Sequence, residues 1–141
     1  MVINTGDSRT IFSKNRGATV IDGSIDHKPE KITEFNRIIE NGGELYRMSY
    51  NIKTGQNQFY FARNYGQFNG INELSSSIQQ LAFGPWRVKP GGLSLSRSFG
   101  DIESKNPIFG GKDGVITSEP DITDFSIKGM DFALLGCKLN S

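Results

Sequence analysis

The chain has 141 residues, of which 35% are hydrophobic and 17 are glycine, so it can form one domain with a modest core. Sixteen basic and fifteen acidic residues leave a formal charge of +1 without a long Lys/Arg cluster, which argues against nucleic acid as a partner. The longest apolar run near either end, Phe132 to Cys137, is far shorter than a membrane span, and a single cysteine cannot form a disulfide framework within the chain. We expect a cytoplasmic or nuclear protein without a membrane span.

The N-terminal residues alternate apolar runs with turn residues. Val2-Ile3 and Thr10 to Phe12 flank the turn Thr5-Gly6-Asp7-Ser8, and Ala18 to Ile21 follows a second turn. This alternation predicts a hairpin followed by a third strand. Because a domain that begins inside a hairpin leaves its first strand unpaired, we expect a further segment upstream of this chain.

A helix is predicted next. Pro29 suits the first helical turn, and four apolar residues follow at helical spacing: Ile32, Phe35, Ile38 and Ile39. Asn41-Gly42-Gly43 is typical of a helix C-terminus. The residues from Glu44 to Ile52 then have an extended pattern.

The region from Asn51 to Gly84 is rich in Asn, Gln, Ser and Gly and carries scattered aromatic residues. It is predicted to be a long loop-like excursion with one short helix at Asn72 to Leu81, and its length favours a flap or lid. Beyond it we predict three strands: Val115 to Ser118, Ile122 to Ile127 and Asp131 to Gly136.

Asp7 and His27 are the first candidate functional residues. A carboxylate in the turn around Asp7 either caps the turn or points toward a metal, and the capping role is the more frequent one. A Ser–His mechanism through Ser8 is disfavoured, because His27 is the only histidine and directly precedes the helix. His27 could itself bind a metal or act as a general acid, but a turn or helix-packing role is favoured.

Two further candidates lie toward the C-terminus. Arg97 and Asp101, with neighbouring serines, could cradle an anion, but their spacing of four favours a local charge pair on a short helix. Cys137 lacks the phosphate-binding loop that a thiolate nucleophile would need, so a buried thiol at a strand end is favoured.

Six segments, taken in chain order, resemble the type 2C family of metal-dependent protein serine/threonine phosphatases: VINTGDSR, DHKP, EFNRIIENGG, WRVKPGGLSLSRSFGDI, SEPDITDF and DFALLGC. The match covers nearly the whole chain except residues 51–83. The resemblance implies an α+β fold, here a partial αββα sandwich in which two antiparallel sheets are flanked by helices. We therefore expect residues 1–141 to be part of one catalytic domain, with residues 51–84 as a flap-like insertion.

The resemblance also implies a chemistry. In this family a pair of Mg²⁺ or Mn²⁺ ions, held by carboxylates and waters, activates the water that attacks phosphoserine or phosphothreonine in a protein substrate. The matching residue in this chain is Asp7, which is expected to face the metal centre and contribute to an accessory metal site. Arg97 and Asp101 match a block that we expect to be architectural rather than catalytic.

The chain also departs from the family pattern. The Asp-Gly-His-Gly segment, which belongs to the family's metal-binding part, does not occur in it, and Lys138 stands where the family has a metal-bridging Asp. A cation at that position would repel Mg²⁺. We therefore expect no catalytic residue in this chain and no metal ligand beyond Asp7, and interpret it as a catalytic-domain fragment that is inactive alone. The alternative is a non-catalytic pseudophosphatase module that binds phosphoprotein partners.

Overall fold

Nine strands and three α-helices are formed by residues 1–137, which are the residues that the computed structural model describes. The strands are β1 (Val2–Asn4), β2 (Arg9–Lys14), β3 (Thr19–Asp22), β4 (Glu44–Asn51), β5 (Asn57–Ala62), β6 (Leu81–Phe83), β7 (Arg87–Lys89), β8 (Asp121–Thr123) and β9 (Met130–Gly136). The helices are α1 (Ile32–Glu40), α2 (Tyr65–Ser77) and α3 (Ile102–Lys105), and one 3₁₀ turn spans Pro107–Phe109.

The strands pair in an antiparallel manner and form three sheets. One sheet contains β1 and β8, the second has the order β3-β2-β9, and the third has the order β5-β4-β6 with β7 also paired to β4. The predicted α+β class with antiparallel sheets is confirmed. None of the helices in residues 1–137 is long and apolar enough to cross a membrane.

The predicted N-terminal hairpin is wrong. β1 pairs with β8, so Ile3 lies opposite Ile122, whereas β2 forms its hairpin with β3 and pairs on its other side with β9. β1 and β2 therefore belong to different sheets, and Asp7 lies in the connection between two sheets instead of a hairpin turn. The alternation of apolar and turn residues locates strands correctly but contains no information about a partner so distant in the chain.

The predicted first helix is present as α1, which begins at Ile32 and ends at Glu40, but Pro29 lies in a turn ahead of it and not in its first helical turn as predicted. Phe35 and Ile38 are buried, and they pack in a core cluster with Leu45, Ala62, Phe68, Trp86, Val88, Val115 and Ile116. Gly43 allows this packing, because a Cβ atom there would lie 2.8 Å from side-chain atoms of both Ile38 and Val115. The glycine that signals the end of the helix is thus also a point of close contact with the core.

The loop-like excursion predicted for residues 51–84 is mostly regular secondary structure. β5 pairs with β4 over six residue pairs, β6 pairs with the end of β4, and the helix between them spans Tyr65–Ser77 rather than Asn72 to Leu81. The helix begins at an N-cap in which the Asn64 side chain accepts a hydrogen bond from the N–H of Gln67 at 2.9 Å. Phe68 anchors it in the core, with its ring 5.0 Å from the Trp86 ring.

The C-terminal strand predictions are partly confirmed. The predicted last strand is present as Met130–Gly136, and the extended residues after α1 form β4. The predicted strand at residues 115–118 is wrong, since Thr117 makes only an isolated bridge to Arg97 while Val115 is buried in a turn. The strand predicted from Ile122 ends already at Thr123.

Candidate functional site

The connection between β1 and β2 is anchored to the segment that precedes α1. The His27 N–H donates to the Gly6 carbonyl oxygen at 2.9 Å, and the Gly6 N–H donates to His27 Nδ1 at 3.0 Å. The other ring nitrogen, Nε2, lies 3.1 Å from Asp121 Oδ2. His27 is only 3% exposed, and its ring binds the Gly6 N–H and does not cap the start of α1.

Asp7 follows this anchored glycine and is 8% exposed. Its Oδ2 atom lies 2.5 Å from Lys28 Nζ, and this ammonium compensates the charge of the buried carboxylate. Gly6 has a φ of +101°, and a Cβ atom there would lie 3.3 Å from the Arg97 carbonyl oxygen. The loop that carries Asp7 therefore packs directly on the backbone of the segment that contains Arg97.

Glu34, on α1, is the centre of an ion-paired cluster that the sequence analysis missed. Its side chain is buried and accepts hydrogen bonds from three donors: Ser96 Oγ (2.6 Å), Arg37 Nη2 (2.7 Å) and Arg97 Nη2 (2.5 Å). Burial by itself raises the pKa of Glu34, but the hydrogen bonds from Arg97, Ser96 and Arg37 outweigh it. The pKa of Glu34 falls from 4.5 to about 2.

Arg97 pairs with residues distant in sequence, and the predicted pair with Asp101 is wrong. Its guanidinium contacts Glu34 on one side, and Nη1 donates to Asp121 Oδ1 at 2.9 Å on the other. Hydrogen bonding to Glu34 raises the pKa of Arg97. The spacing rule fails because it requires one helix through both residues, whereas α3 begins only at Ile102 and Asp101 has a φ of +57°.

Arg37 links the cluster to the loop that precedes β8. Nη1 donates to the carbonyl oxygens of Gly114 at 2.5 Å and Val115 at 2.9 Å, and Nη2 donates to the Ser96 carbonyl at 2.9 Å. The Ser96 N–H in turn donates to the His27 carbonyl at 2.9 Å. One set of polar contacts thus ties α1, the Asp7 loop and the Arg97 segment together, and its charges are balanced by internal partners.

The described residues do not fit a two-metal centre. Such a centre needs several carboxylate ligands. Within residues 1–137, no group of three or more His, Cys, Asp or Glu side chains could hold a metal ion. The assignment of Asp7 to a metal site stays a prediction, and Lys138 lies outside the described residues.

Cys137 follows the last residue of β9, as the sequence predicted for a strand-end thiol. Its predicted burial is wrong, because the residue is exposed. The exposure agrees with that of its neighbours on β9, where Leu135 is also exposed.

Comparison with known proteins assigns the family. The family model described as Protein phosphatase 2C matches residues 1–138. The chain is 32% identical over 126 residues to putative protein phosphatase 2C 22 of Oryza sativa subsp. japonica, a match that covers 89% of this chain and 19% of that protein. It is 31% identical over 139 residues to protein phosphatase ppm-1.G of Caenorhabditis elegans, with 97% and 20% covered.

A third relative, probable protein phosphatase CG10417 of Drosophila melanogaster, is 32% identical over 138 residues, which cover 96% of this chain and 15% of that protein. The chain belongs to the protein phosphatase 2C family, which confirms the resemblance found in the sequence. It spans only 15% to 20% of the length of these three relatives.

Proposed function

We propose that this chain is part of the catalytic domain of a protein serine/threonine phosphatase, acting on phosphoserine or phosphothreonine in proteins. The observation that supports this most strongly is the family match over residues 1–138. The internal geometry is consistent with it, since the Asp7 loop, the segment around His27 and the Arg97 segment come from three separate regions that resemble the family and meet in one cluster.

In this proposal the described residues contribute framework to that domain, and not its principal metal ligands. Glu34, Arg37 and Arg97 bind one another and the surrounding carbonyl groups, so the cluster fixes backbone segments relative to one another. The donor set within residues 1–137 is too small for a pair of divalent cations. We therefore propose that the principal metal ligands of the active phosphatase are not among these residues.

Hydrolysis of a phosphothreonine peptide by the purified chain in Mn²⁺ tests this proposal. The expected result is no release of inorganic phosphate above the rate in buffer with Mn²⁺ alone. A complete type 2C phosphatase, assayed in parallel, serves as the positive control. Turnover by the chain that a chelator abolishes would contradict the proposal.

A second candidate function is a non-catalytic module that binds phosphoprotein partners. The observation that favours it is the Asp7–Lys28 pair, because this carboxylate has its counter-charge without any metal ion. Fluorescence anisotropy with a phosphothreonine peptide and its unphosphorylated twin, both in chelator, separates the two candidates. Phosphate-dependent binding without hydrolysis would favour the binding module, whereas equal and weak binding of both peptides would exclude it.

A further inference from the structure

The sheet formed by β5, β4 and β6 has one covered face and one open face. On the covered face, Arg47 lies over the Phe83 and Trp86 rings and donates to Asn72 of α2 at 3.3 Å. The open face carries a group of large apolar side chains that are 40% to 55% exposed: Met48, Tyr50, Phe59 and Phe61. Phe59 and Phe61 belong to β5, and both rings lie close to Tyr46 of β4.

β5 is also the edge of this sheet. It pairs with β4 on one side only, and within residues 1–137 the backbone of residues 57–62 makes no further backbone hydrogen bond. Exposed edges are normally protected by charged side chains, proline or a β-bulge. The β5 sequence NQFYFA contains no charge and no proline, and its register with β4 is unbroken over six residue pairs.

We propose that β5 pairs antiparallel with β5 of a second copy of this chain, with Tyr60 opposite the partner's Tyr60. This register places Phe59 opposite the partner's Phe61 and, by symmetry, Phe61 opposite the partner's Phe59. Both aromatic pairs lie on the open face, where directly opposite aromatic side chains stabilise a sheet. A register centred on Phe59 would instead place Phe61 opposite an amide side chain.

The charges that flank β5 are compatible with self-pairing. In the register centred on Tyr60, Arg63 lies opposite the partner's Asn57, so no like charges face each other across the new strand pair. The neighbouring cation Lys89, which lies 5.7 Å from the Phe61 ring, belongs to β7 on the other side of β4 and not to the edge. A second copy of the chain can therefore supply a strand for the β5 edge and aromatic partners for the open face without placing like charges opposite each other.

Sedimentation velocity of the full chain over a range of concentrations tests the proposal. The unsubstituted chain is expected to show a monomer–dimer equilibrium. The double variants F59K/F61K and F59E/F61E place like charges opposite each other in the homodimer, so each should weaken self-association by at least about tenfold. A mixture of the two variants should form a heterodimer, because every lysine then faces a glutamate.

M48K is the matched control, since Met48 lies on the same open face but on the interior strand β4. It should leave the dimer dissociation constant within about threefold of the original value. Circular dichroism checks that each variant is folded. If the double variants fail to fold, a mixture of the single variants F59K and F61E provides one Lys–Glu pair in the heterodimer.

Four outcomes would each overturn the proposal: a parent chain that stays monomeric, open-ended aggregation, failure of the mixtures to associate, or equal disruption by M48K.

Discussion

Glu34 is the residue on which the arrangement of the site depends most. It is buried and negatively charged, and it contacts two arginines and a serine that come from two separate parts of the chain. A buried carboxylate is tolerated only when its partners compensate for the loss of water, and here three donors do so. Removing its charge should leave the partly buried Arg37 and Arg97 guanidinium groups incompletely compensated.

The substitution Glu34→Gln should therefore lower the free energy of unfolding by about 3 kcal/mol, because breaking a buried ion pair leaves uncompensated charge. Urea denaturation followed by circular dichroism measures this change. Glu40→Gln is the control, since Glu40 lies on the same helix but is exposed, and it should change stability by less than about 0.5 kcal/mol. Equal effects of the two substitutions would contradict the role given to the cluster.

The same residue predicts a pH dependence of stability. The pKa of Glu34 is about 2 in the folded chain and 4.5 for an unperturbed carboxyl group, as in the unfolded chain. Between these two pH values the unfolded chain therefore binds a proton at Glu34 that the folded chain does not bind. The ionised Glu34 carboxylate therefore contributes about 3 kcal/mol to the free energy of unfolding above pH 4.5, and this contribution is lost as the pH falls toward 2. The free energy of unfolding, measured across this pH range, should fall less steeply for Glu34→Gln than for the parent chain. Parallel curves would show that Glu34 is not the source of the pH dependence.

Among the elements, α2 allows the most specific test, because its observed start differs from the predicted one. Asn64 caps the helix by accepting the Gln67 N–H, so Asn64→Ala should cost about 1 kcal/mol of stability. Asn64→Asp keeps an acceptor at the cap and should stay within about 0.5 kcal/mol of the parent. Thermal or urea unfolding measures both variants, and an unchanged stability of Asn64→Ala would argue against a helix that begins at Tyr65.

Elements that depend on local pattern could be predicted from the sequence, and elements that depend on distant partners could not. The apolar spacing of Phe35 and Ile38 predicts α1 because those residues face one core. Nothing local in Val2 to Asn4 indicates pairing with Asp121 to Thr123. In residues 51–84, the high content of Asn, Gln and Ser resembles a loop, but the core contacts of Phe68 and Trp86 override these weak propensities.

The same distinction applies to the site. The motifs around Asp7, His27 and Arg97 could be selected from the sequence because each resembles a family segment. Their partners could not be selected, since Arg97 bonds Glu34 at a separation of 63 residues and Asp7 bonds Lys28 at 21. A spacing of four residues makes Asp101 an ion-pair partner of Arg97 only if the backbone between them is helical. The backbone there is not helical, because α3 begins only at Ile102.

At the scale of the whole molecule, metal binding depends on the number of carboxylate side chains that are available as ligands. Residues 1–137 share the fold class and segment order of the type 2C family, yet the carboxylates at the cluster are already engaged by Arg37, Arg97 and Lys28. A hard divalent cation would have to compete with these cations for every ligand. The chain is thus expected to have the framework of the phosphatase without its tight metal centre.

Titration of the purified chain with Mn²⁺, with the free ion measured by electron paramagnetic resonance, shows whether the chain has a tight metal centre. We predict that the signal of free Mn²⁺ rises in proportion to the added metal from the first addition, with no tight stoichiometric uptake. Uptake of a pair of Mn²⁺ ions per chain before free ion appears would contradict it.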